Sequence, residues 1–203
     1  MSELEHVADE ELMIRIIGAD HEAFSELVGR HTKMFYAAAY RMCANQNDAE
    51  DIVQDAFLKL WQRPEAWQPD RAAKFTTWFY RVVTNLSIDH MRKAKKTQNT
   101  KGSDHLERIK DSGSNQQELL ERHEQHDNLE RAIQALPERQ KVALNLCFYE
   151  GLSNKEAAEI MEIGVKALES LLIRAKAGVK TILMREGVLD DNLHEPTGGR
   201  SHG

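Results

Sequence analysis

The chain has 203 residues, 41% of them hydrophobic, and a formal net charge of −6, so it has room for one large domain or two small ones. No apolar run approaches the roughly 18 residues of a membrane-spanning helix. The acidic stretch 1–11 contains no Lys or Arg and does not fit the basic start of a signal peptide, so we do not expect one.

Helical periodicity predicts four helices in the first half of the chain, over residues 10–18, 21–44, 48–63 and 76–96. The third is expected to have Asn47 or Asp48 as its N-cap and to end before Pro64. Cys43 and Cys147 each lie within an apolar helical pattern, which favours two buried thiols over a disulfide, so we expect a cytoplasmic protein. No alternating strand pattern persists, so a β-sheet is not expected.

Composition changes over residues 97–117, where polar residues dominate and only Leu106 and Ile109 are sizeable apolar side chains. We predict a flexible linker there. Four further helices are expected after it: one over residues 118–135, one restarted by Pro137 and closed by Gly151, one opened by the capping box Ser153–Glu156, and one from Val165 to about Met184. The apolar residues of the helix after Pro137 are Val142, Leu144, Leu146 and Phe148.

The predicted architecture is therefore all-α, with two small helical domains joined by a flexible linker. The expected boundaries are residues 8–96 for the first domain, 97–117 for the linker, 118–185 for the second domain and 186–203 for a disordered tail.

One helix of the first domain has an unusual polar face. The apolar residues within 48–61 follow helical spacing and lie on one face of the helix. The opposite face carries Asp51, Gln54, Asp55 and Leu58. A solvated helix surface is one interpretation. A leucine within a compact patch of acids and amides also suits a docking surface for another protein.

Basic residues are concentrated in two islands. Residues 71–96 carry seven Lys or Arg against one acid, a net charge of +6, and residues 165–185 carry five against one, a net charge of +4. The rest of the chain must carry −16 to reach the total of −6. This distribution suits a protein that touches DNA in two places and is repelled from it elsewhere.

Aromatic residues belong to the first basic island. Residues 75–80 contain four aromatic side chains, and flat rings interleaved with cations suit single-stranded nucleic acid. The spacing of Phe75, Trp78 and Phe79 equally fits the core stripe of a helix, so we expect most of these rings to be structural. Trp67, in the loop before this helix, is the better candidate for contact with a base.

The second domain ends with the spacing of a helix-turn-helix, over residues 153–184. In this motif the second helix enters the major groove of DNA. Its buried stripe leaves an outer face of Lys166, Glu169, Ser170, Ile173 and Arg174. Arginine can pair with guanine, glutamate can accept from cytosine, and isoleucine can contact a thymine methyl group.

Catalytic and metal motifs are weak by comparison. His123 and His126 can share one helix face, but no third ligand is placed near them and the spacing of zinc proteases is absent. A solvated helix is the simpler interpretation. We find no glycine-rich phosphate loop, nucleophile elbow or supported carboxylate pair, so neither a metal, a cofactor nor an enzymatic activity is expected.

Taken together, these motifs resemble the extracytoplasmic-function (ECF) group of bacterial RNA polymerase sigma factors. The helix over residues 48–61 is similar to their polymerase-docking helix. Residues 136–140, 150–153 and 156–160 are similar to their promoter-binding C-terminal domain. The resemblance implies a protein that directs RNA polymerase core to promoters and starts DNA melting, without catalysing a reaction itself.

The resemblance also implies roles for individual residues. A coiled coil of the largest polymerase subunit would be bound by Asp51, Gln54, Asp55 and Leu58. The minus-ten promoter element would be melted and read by Trp67, Lys74, Arg81, Asn85, Arg92, Lys93, Lys95 and Lys96, with Asn85 holding a flipped-out base. The minus-thirty-five element would be bound by Lys166, Glu169, Ser170, Ile173, Arg174 and Lys176. An anti-sigma factor is the implied inhibitor until a stress signal arrives.

The chain departs from the family pattern in the helix-turn-helix turn. Glu162 stands where the family usually has Gly, and Gly164 where it usually has Ser. A non-glycine residue at positive φ costs roughly 1 kcal/mol, so we expect a shifted or strained turn. The alternative function is a sigma mimic that sequesters an anti-sigma factor without binding DNA. A stand-alone helix-turn-helix repressor is a third interpretation and an enzyme a distant fourth.

Overall fold

The computed structural model describes residues 4–68, 74–98 and 127–188. Its elements are α1 (Asp9–Ile17), α2 (His21–Cys43), α3 (Gln46–Gln62), a 3-10 turn (Pro64–Ala66), α4 (Phe75–Gln98), α5 (residues 127–134), α6 (Glu138–Leu144), a π-helical turn (Asn145–Tyr149), α7 (Asn154–Ile160) and α8 (Val165–Arg185). These ranges contain no strand, which confirms the all-α class. No helix within them is long and apolar enough to cross a membrane.

Two predicted segments fall largely beyond this description. Helix α4 extends through Gln98, and the remainder of the predicted linker lies outside the described residues, as do His123, His126 and most of the predicted tail. The start of the helix predicted over residues 118–135 also lies outside them. The proposed domain boundaries therefore stay predictions.

Helices α1 to α4 form an N-terminal unit around a cluster of aromatic rings. Phe35 of α2 is completely buried, and its ring centroid lies 4.7 Å from that of Phe79 and 4.9 Å from that of Tyr80. Phe57 of α3 and Phe75 lie 4.8 Å and 5.3 Å from Phe79. Because aromatic pairs add about 0.5–1.5 kcal/mol beyond the area that they bury, this cluster fixes the three longer helices to one another.

Polar contacts attach α1 to this cluster. Asp9 accepts a hydrogen bond from Arg30 Nη1 at 2.7 Å, and its other oxygen lies 2.7 Å from His31 Nε2. The neighbouring Glu10 accepts from the backbone N–H of Phe75 at 3.3 Å. Helix α1 therefore contacts α2 and the start of α4 through consecutive acidic residues.

The N-cap of α3 is Asn45, so the prediction of Asn47 or Asp48 was wrong. Asn45 has extended backbone angles, and its side chain accepts from the N–H of Asp48 at 3.0 Å. Ala44 before it adopts a left-handed conformation with φ of 55°. This sharp reversal lets α3 begin two residues earlier than the apolar pattern indicates.

Helices α5 to α8 form a C-terminal unit. Pro137 is the N-cap of α6 and not a residue of its first turn. The helix then widens into the π turn, and Phe148 is 56% exposed although Val142 and Leu146 are fully buried. Phe148 follows Leu146 by two residues, so helical spacing places it on the opposite side of the helix, away from the core.

The helix-turn-helix has the expected boundaries. The capping box is confirmed: Glu156 accepts from Ser153 N at 2.9 Å, and Glu156 N donates to Ser153 Oγ at 3.3 Å. Glu162 has φ of 53°, so the turn keeps the left-handed conformation usually adopted by glycine. Helix α8 follows from Gly164 and ends within one residue of its predicted end.

The two units are in contact with each other. Asn145 Nδ2 donates to the carbonyl oxygen of Ala38 at 3.2 Å, and Gln134 Nε2 donates to that of Arg41 at 2.8 Å. Glu150, immediately after the π turn, accepts from Arg41 Nη1 and from the Tyr80 hydroxyl, each at 2.5 Å. The C-terminal unit thus contacts α2 and α4 through the side chains of Gln134, Asn145 and Glu150.

Asn45→Ala should lower the free energy of unfolding by about 1 kcal/mol, because the N-cap side chain is lost. Asn47→Ala is the matched control, because Asn47 is exposed inside α3 and alanine has the higher helix propensity. Urea unfolding followed by circular dichroism measures both. Equal destabilisation by the two substitutions would contradict the assignment of Asn45 as the cap.

The interface should also produce a stability change at alkaline pH. Burial, the hydrogen bond to Glu150 and the charge of that carboxylate raise the pKa of Tyr80 above its ordinary value of 10.0. The neutral phenol therefore stabilises the folded chain fully below pH 10, and this contribution is lost as the pH rises towards the higher folded pKa. In urea unfolding between pH 9 and 11.5, Tyr80→Phe should lose stability less steeply than the wild type, by up to about 1.4 kcal/mol per pH unit. Identical slopes would contradict a buried Tyr80–Glu150 contact.

Candidate protein- and nucleic-acid-binding surfaces

Helix α3 exposes the predicted docking residues together. Asp51, Gln54, Asp55 and Leu58 are all exposed, and Leu58 is 52% accessible. The opposite face is buried and consists of Ala49, Ile52, Val53, Ala56, Phe57 and Leu60. Since the buried face fixes the rotation of the helix, the outward patch cannot turn inward without losing this packing.

An apolar groove of about 400 Å³ adjoins this patch. Its walls come from α2 and α3 and include Phe24, Val28, Phe57, Leu58 and Trp61. Leu58 and Gln54 belong to both the groove and the patch. The sequence predicted only the wall of this groove that α3 provides. The wall from α2 could not be predicted, because it depends on how the two helices pack.

Helix α4 presents a polar and basic face to solvent. Asn85, Arg92, Lys93, Lys95 and Lys96 are exposed, as is Lys74 just before the helix. The side chain of Arg81 is 44% accessible and forms an ion pair with Glu162. Arg81, Asn85 and Arg92 follow one another at intervals of four and seven residues, so they share one face of the helix.

The aromatic residues near this face are mainly structural. Phe75 and Phe79 are fully buried, as expected, and Trp78 is half-buried. Trp67 is only 2% exposed, which corrects the expectation of a loop ring available to a base. The 3-10 turn at Pro64–Ala66 leads this ring into the core. Its indole nitrogen has no hydrogen-bond partner among the described residues.

Helix α8 exposes every residue that was predicted to face DNA. Lys166, Glu169, Ser170 and Arg174 lie on its outer side, and Ile173 is 69% accessible. Arg174 Nε donates to the carbonyl oxygen of Ser170 at 3.1 Å, so its guanidinium lies along the helix. Lys176 is also exposed, but its ammonium lies 4.8 Å from the centre of the Phe148 ring, in a cation–π contact.

The three surfaces lie within two separate family matches. Residues 27–97 match the model for sigma-70 region 2, and residues 126–177 match that for sigma-70 region 4. Together they span more than half of the chain, in the order and separation of the two helical units. The chain therefore belongs to the sigma-70 family of sigma factors, in its ECF group.

Individual relatives agree with this assignment. The chain is 29% identical to the ECF RNA polymerase sigma factor SigW of Bacillus subtilis over 168 residues, which cover 79% of this chain and 89% of SigW. The structure of CnrH in complex with the cytosolic domain of CnrY aligns with a TM-score of 0.63 at 25% identity, covering 88% of this chain and 98% of that one. The sigma factor RpoE of Bartonella quintana, in complex with the anti-sigma factor NepR, shares the fold at a TM-score of 0.61 and 20% identity, covering 79% and 96%. The sigma-mimic alternative is not favoured by these matches.

Trp67→Ala should destabilise the folded chain by about 3–5 kcal/mol, the range for removing a large buried ring. Trp78→Ala is the comparison, and should cost less because its ring is only half-buried. Thermal unfolding by calorimetry on the full chain measures both. A smaller loss of stability for Trp67→Ala than for Trp78→Ala would contradict the burial of Trp67.

Proposed function

We propose that this sigma factor uses its three exposed helix faces for three different contacts. The α3 face binds RNA polymerase core, the α4 face opens and reads the minus-ten element, and the α8 face binds the minus-thirty-five element. The observation that carries this proposal is the α3 face itself. Asp51, Gln54, Asp55 and Leu58 are exposed together beside an apolar groove. A helix that only faces solvent needs neither an exposed leucine nor an apolar groove.

Core binding combines an apolar anchor with surrounding charge. Leu58 and the groove beside it supply apolar area, and Asp51 and Asp55 supply the acidic rim. A mixed patch of this kind suits a basic, amphipathic partner helix. By resemblance to the family, that partner is the coiled coil of the largest polymerase subunit.

Promoter melting is assigned to α4. Extruding a base from the stack costs a few kcal/mol, so a face that holds the extruded base must recover that energy. Asn85 supplies an amide with donors and an acceptor for a base edge. Arg81 and Arg92 lie on the same face and supply cations for the phosphates. The exposed cluster Lys93, Lys95 and Lys96 continues this charge towards the end of the helix.

Upstream recognition is assigned to α8. Its outer face offers Arg174 for guanine, Glu169 for cytosine and Ile173 for a thymine methyl group. Lys166 and Lys176 add phosphate contacts. The protein acts in the cytoplasm, catalyses no reaction itself, and is held inactive by an anti-sigma factor, as the relatives bound to such partners suggest.

Asp51→Arg should abolish binding to purified bacterial RNA polymerase core, because it places a cation in the acidic rim. Glu159→Arg makes the same charge change on the exposed side of α7 and should bind core like the wild type. Run-off transcription on a library of promoter fragments then tests the second contact. Asn85→Ala should keep core binding and lose transcripts.

The outcomes separate the parts of the proposal. Core binding by Asp51→Arg at wild-type strength would contradict the assignment of the α3 face. Full transcription by Asn85→Ala would contradict its role in holding a base. Absence of core binding by the wild type would overturn the function as a whole.

Arg174→Ala should weaken promoter binding by the holoenzyme by about 1–3 kcal/mol, the value of one specific base contact. Lys180→Ala, an exposed cation further along α8, is the control and should cost less. Fluorescence anisotropy with promoter fragments recovered from the library measures both, and core binding should be unchanged. Equal losses for the two variants would show that α8 contributes only nonspecific charge.

A further inference from the structure

The first turn of α4 begins at a residue whose side chain cannot cap it. Lys74 is the N-cap, because its carbonyl oxygen accepts the first hydrogen bond of the helix, from the N–H of Trp78 at 3.2 Å. The first N–H groups of a helix have no intrahelical partner, and an N-cap side chain with an oxygen usually satisfies one of them. The ammonium group of lysine has donors and no acceptor. A protein acceptor for this turn must therefore come from another residue.

Glu10 of α1 supplies that acceptor. Its carboxylate accepts from the N–H of Phe75, the first residue of α4, at 3.3 Å, although the two residues are 65 positions apart in the sequence. A negative charge at this point also faces the positive end of the helix dipole, which favours the contact. Helix α1 therefore caps α4 across the fold, in place of the side chain that Lys74 cannot provide.

The position of Glu10 is fixed by the residue before it. Asp9 accepts from Arg30 Nη1 at 2.7 Å, and its second oxygen lies 2.7 Å from His31 Nε2. Arg30 also donates to the carbonyl oxygen of Val7 at 2.8 Å, so the turn that leads into α1 is held as well. These bonds anchor the start of α1 on α2. The Glu10 carboxylate is thus presented to α4 by a helix that is itself held in place.

Two different groups of Phe75 are held at this junction. Its ring is fully buried, and the ring centroid lies 5.7 Å from that of His31. Its backbone N–H is held by Glu10. Lys74, the residue immediately before, is exposed. Because Lys74 is the last residue before the helix, the direction of its side chain depends on the backbone of the turn that Glu10 caps.

Glu10 contributes little to the core. It is an exposed residue of α1, whereas Leu12, Met13 and Ile16 are the residues of this helix that are buried. A substitution at Glu10 therefore leaves the packing of α1 on its neighbours intact. This separation makes it possible to remove the cap of α4 without unfolding the N-terminal unit.

We propose that Glu10 is a positioning residue for promoter opening: through the N–H of Phe75 it holds the first turn of α4 and directs Lys74 towards the minus-ten element. The carboxylate itself would be repelled by DNA phosphates, so it acts through the helix and not by contact with the promoter. The inference deepens the function proposed for α4 and rests on it.

Three variants of the full chain test this role. Glu10→Ala removes the acceptor, whereas Glu10→Gln removes the charge and keeps a side-chain oxygen that can accept from Phe75. Glu11→Ala is the matched control, because Glu11 is the adjacent exposed acid of α1 and pairs with Arg15 on the same helix. Circular dichroism should show the same helix content in all three variants as in the wild type.

The contact itself is measured without polymerase. Phe75 is the only phenylalanine that follows a lysine, so carbon-13 at lysine carbonyls together with nitrogen-15 in phenylalanine identifies its amide by nuclear magnetic resonance. That amide should exchange with solvent about fivefold faster in Glu10→Ala than in the wild type, because one hydrogen bond is lost. Glu10→Gln and Glu11→Ala should exchange at close to the wild-type rate.

The consequence for function is measured on the holoenzyme. A promoter fragment recovered from the run-off library carries 2-aminopurine in its minus-ten element, and the fluorescence of this base rises as it leaves the stack. Glu10→Ala should open the promoter up to about tenfold more slowly, the factor that one hydrogen bond can contribute. Binding to core should be unchanged. Glu10→Gln should restore the wild-type rate, and this rescue distinguishes a lost acceptor from a lost charge.

Each outcome decides one part of the inference. Wild-type exchange of the Phe75 amide in Glu10→Ala would overturn the capping contact. Wild-type opening by Glu10→Ala, or equally slow opening by Glu10→Ala and Glu10→Gln, would overturn the positioning role. A wild-type holoenzyme that opens no promoter would overturn the proposed function and the positioning role with it, whereas the exchange measurement would still decide whether Glu10 caps α4.

Discussion

Helix α4 buries one of its faces in the core. Which face is buried decides which of its polar side chains are exposed. Phe75 and Phe79 enter the ring cluster around Phe35, and Val83 continues that buried stripe. With this stripe inside, Arg81, Asn85 and Arg92 must lie towards solvent or a neighbouring unit. The burial of aromatic rings, worth several kcal/mol each, thus orients a set of polar side chains whose own contacts are individually weak.

The C-terminal unit is adapted to this exposed face by two local irregularities. The π turn at Asn145–Tyr149 is followed directly by Glu150, whose carboxylate lies in the interface. The left-handed Glu162 directs a carboxylate towards Arg81. Both features interrupt a regular helix or turn, and both lie at the contact with α2 and α4. Departures from ideal geometry often mark positions that serve function more than stability.

Helical periodicity predicted most of this architecture, because each long helix has a single apolar stripe. The rotation of α3 and α8 follows from that stripe, so Asp51, Leu58 and Ile173 could be predicted as exposed. The burial of Trp67 could not, since a loop has no repeat to read and its course is set by tertiary packing. Glu150 is hydrogen-bonded to Arg41 and Tyr80, which lie 109 and 70 positions away in the sequence. A local sequence pattern cannot predict contacts between residues so far apart.

The ion pairs between the two units differ in how much each contributes to the contact. Exposed pairs such as Arg81–Glu162 contribute about 0–1 kcal/mol and cannot hold two units together. A buried carboxylate with two short hydrogen bonds can, because separating it from Arg41 leaves a charge without its partner in the interface. A nucleic acid, however, offers a continuous row of phosphates and gains free energy from counterion release at each cation it meets.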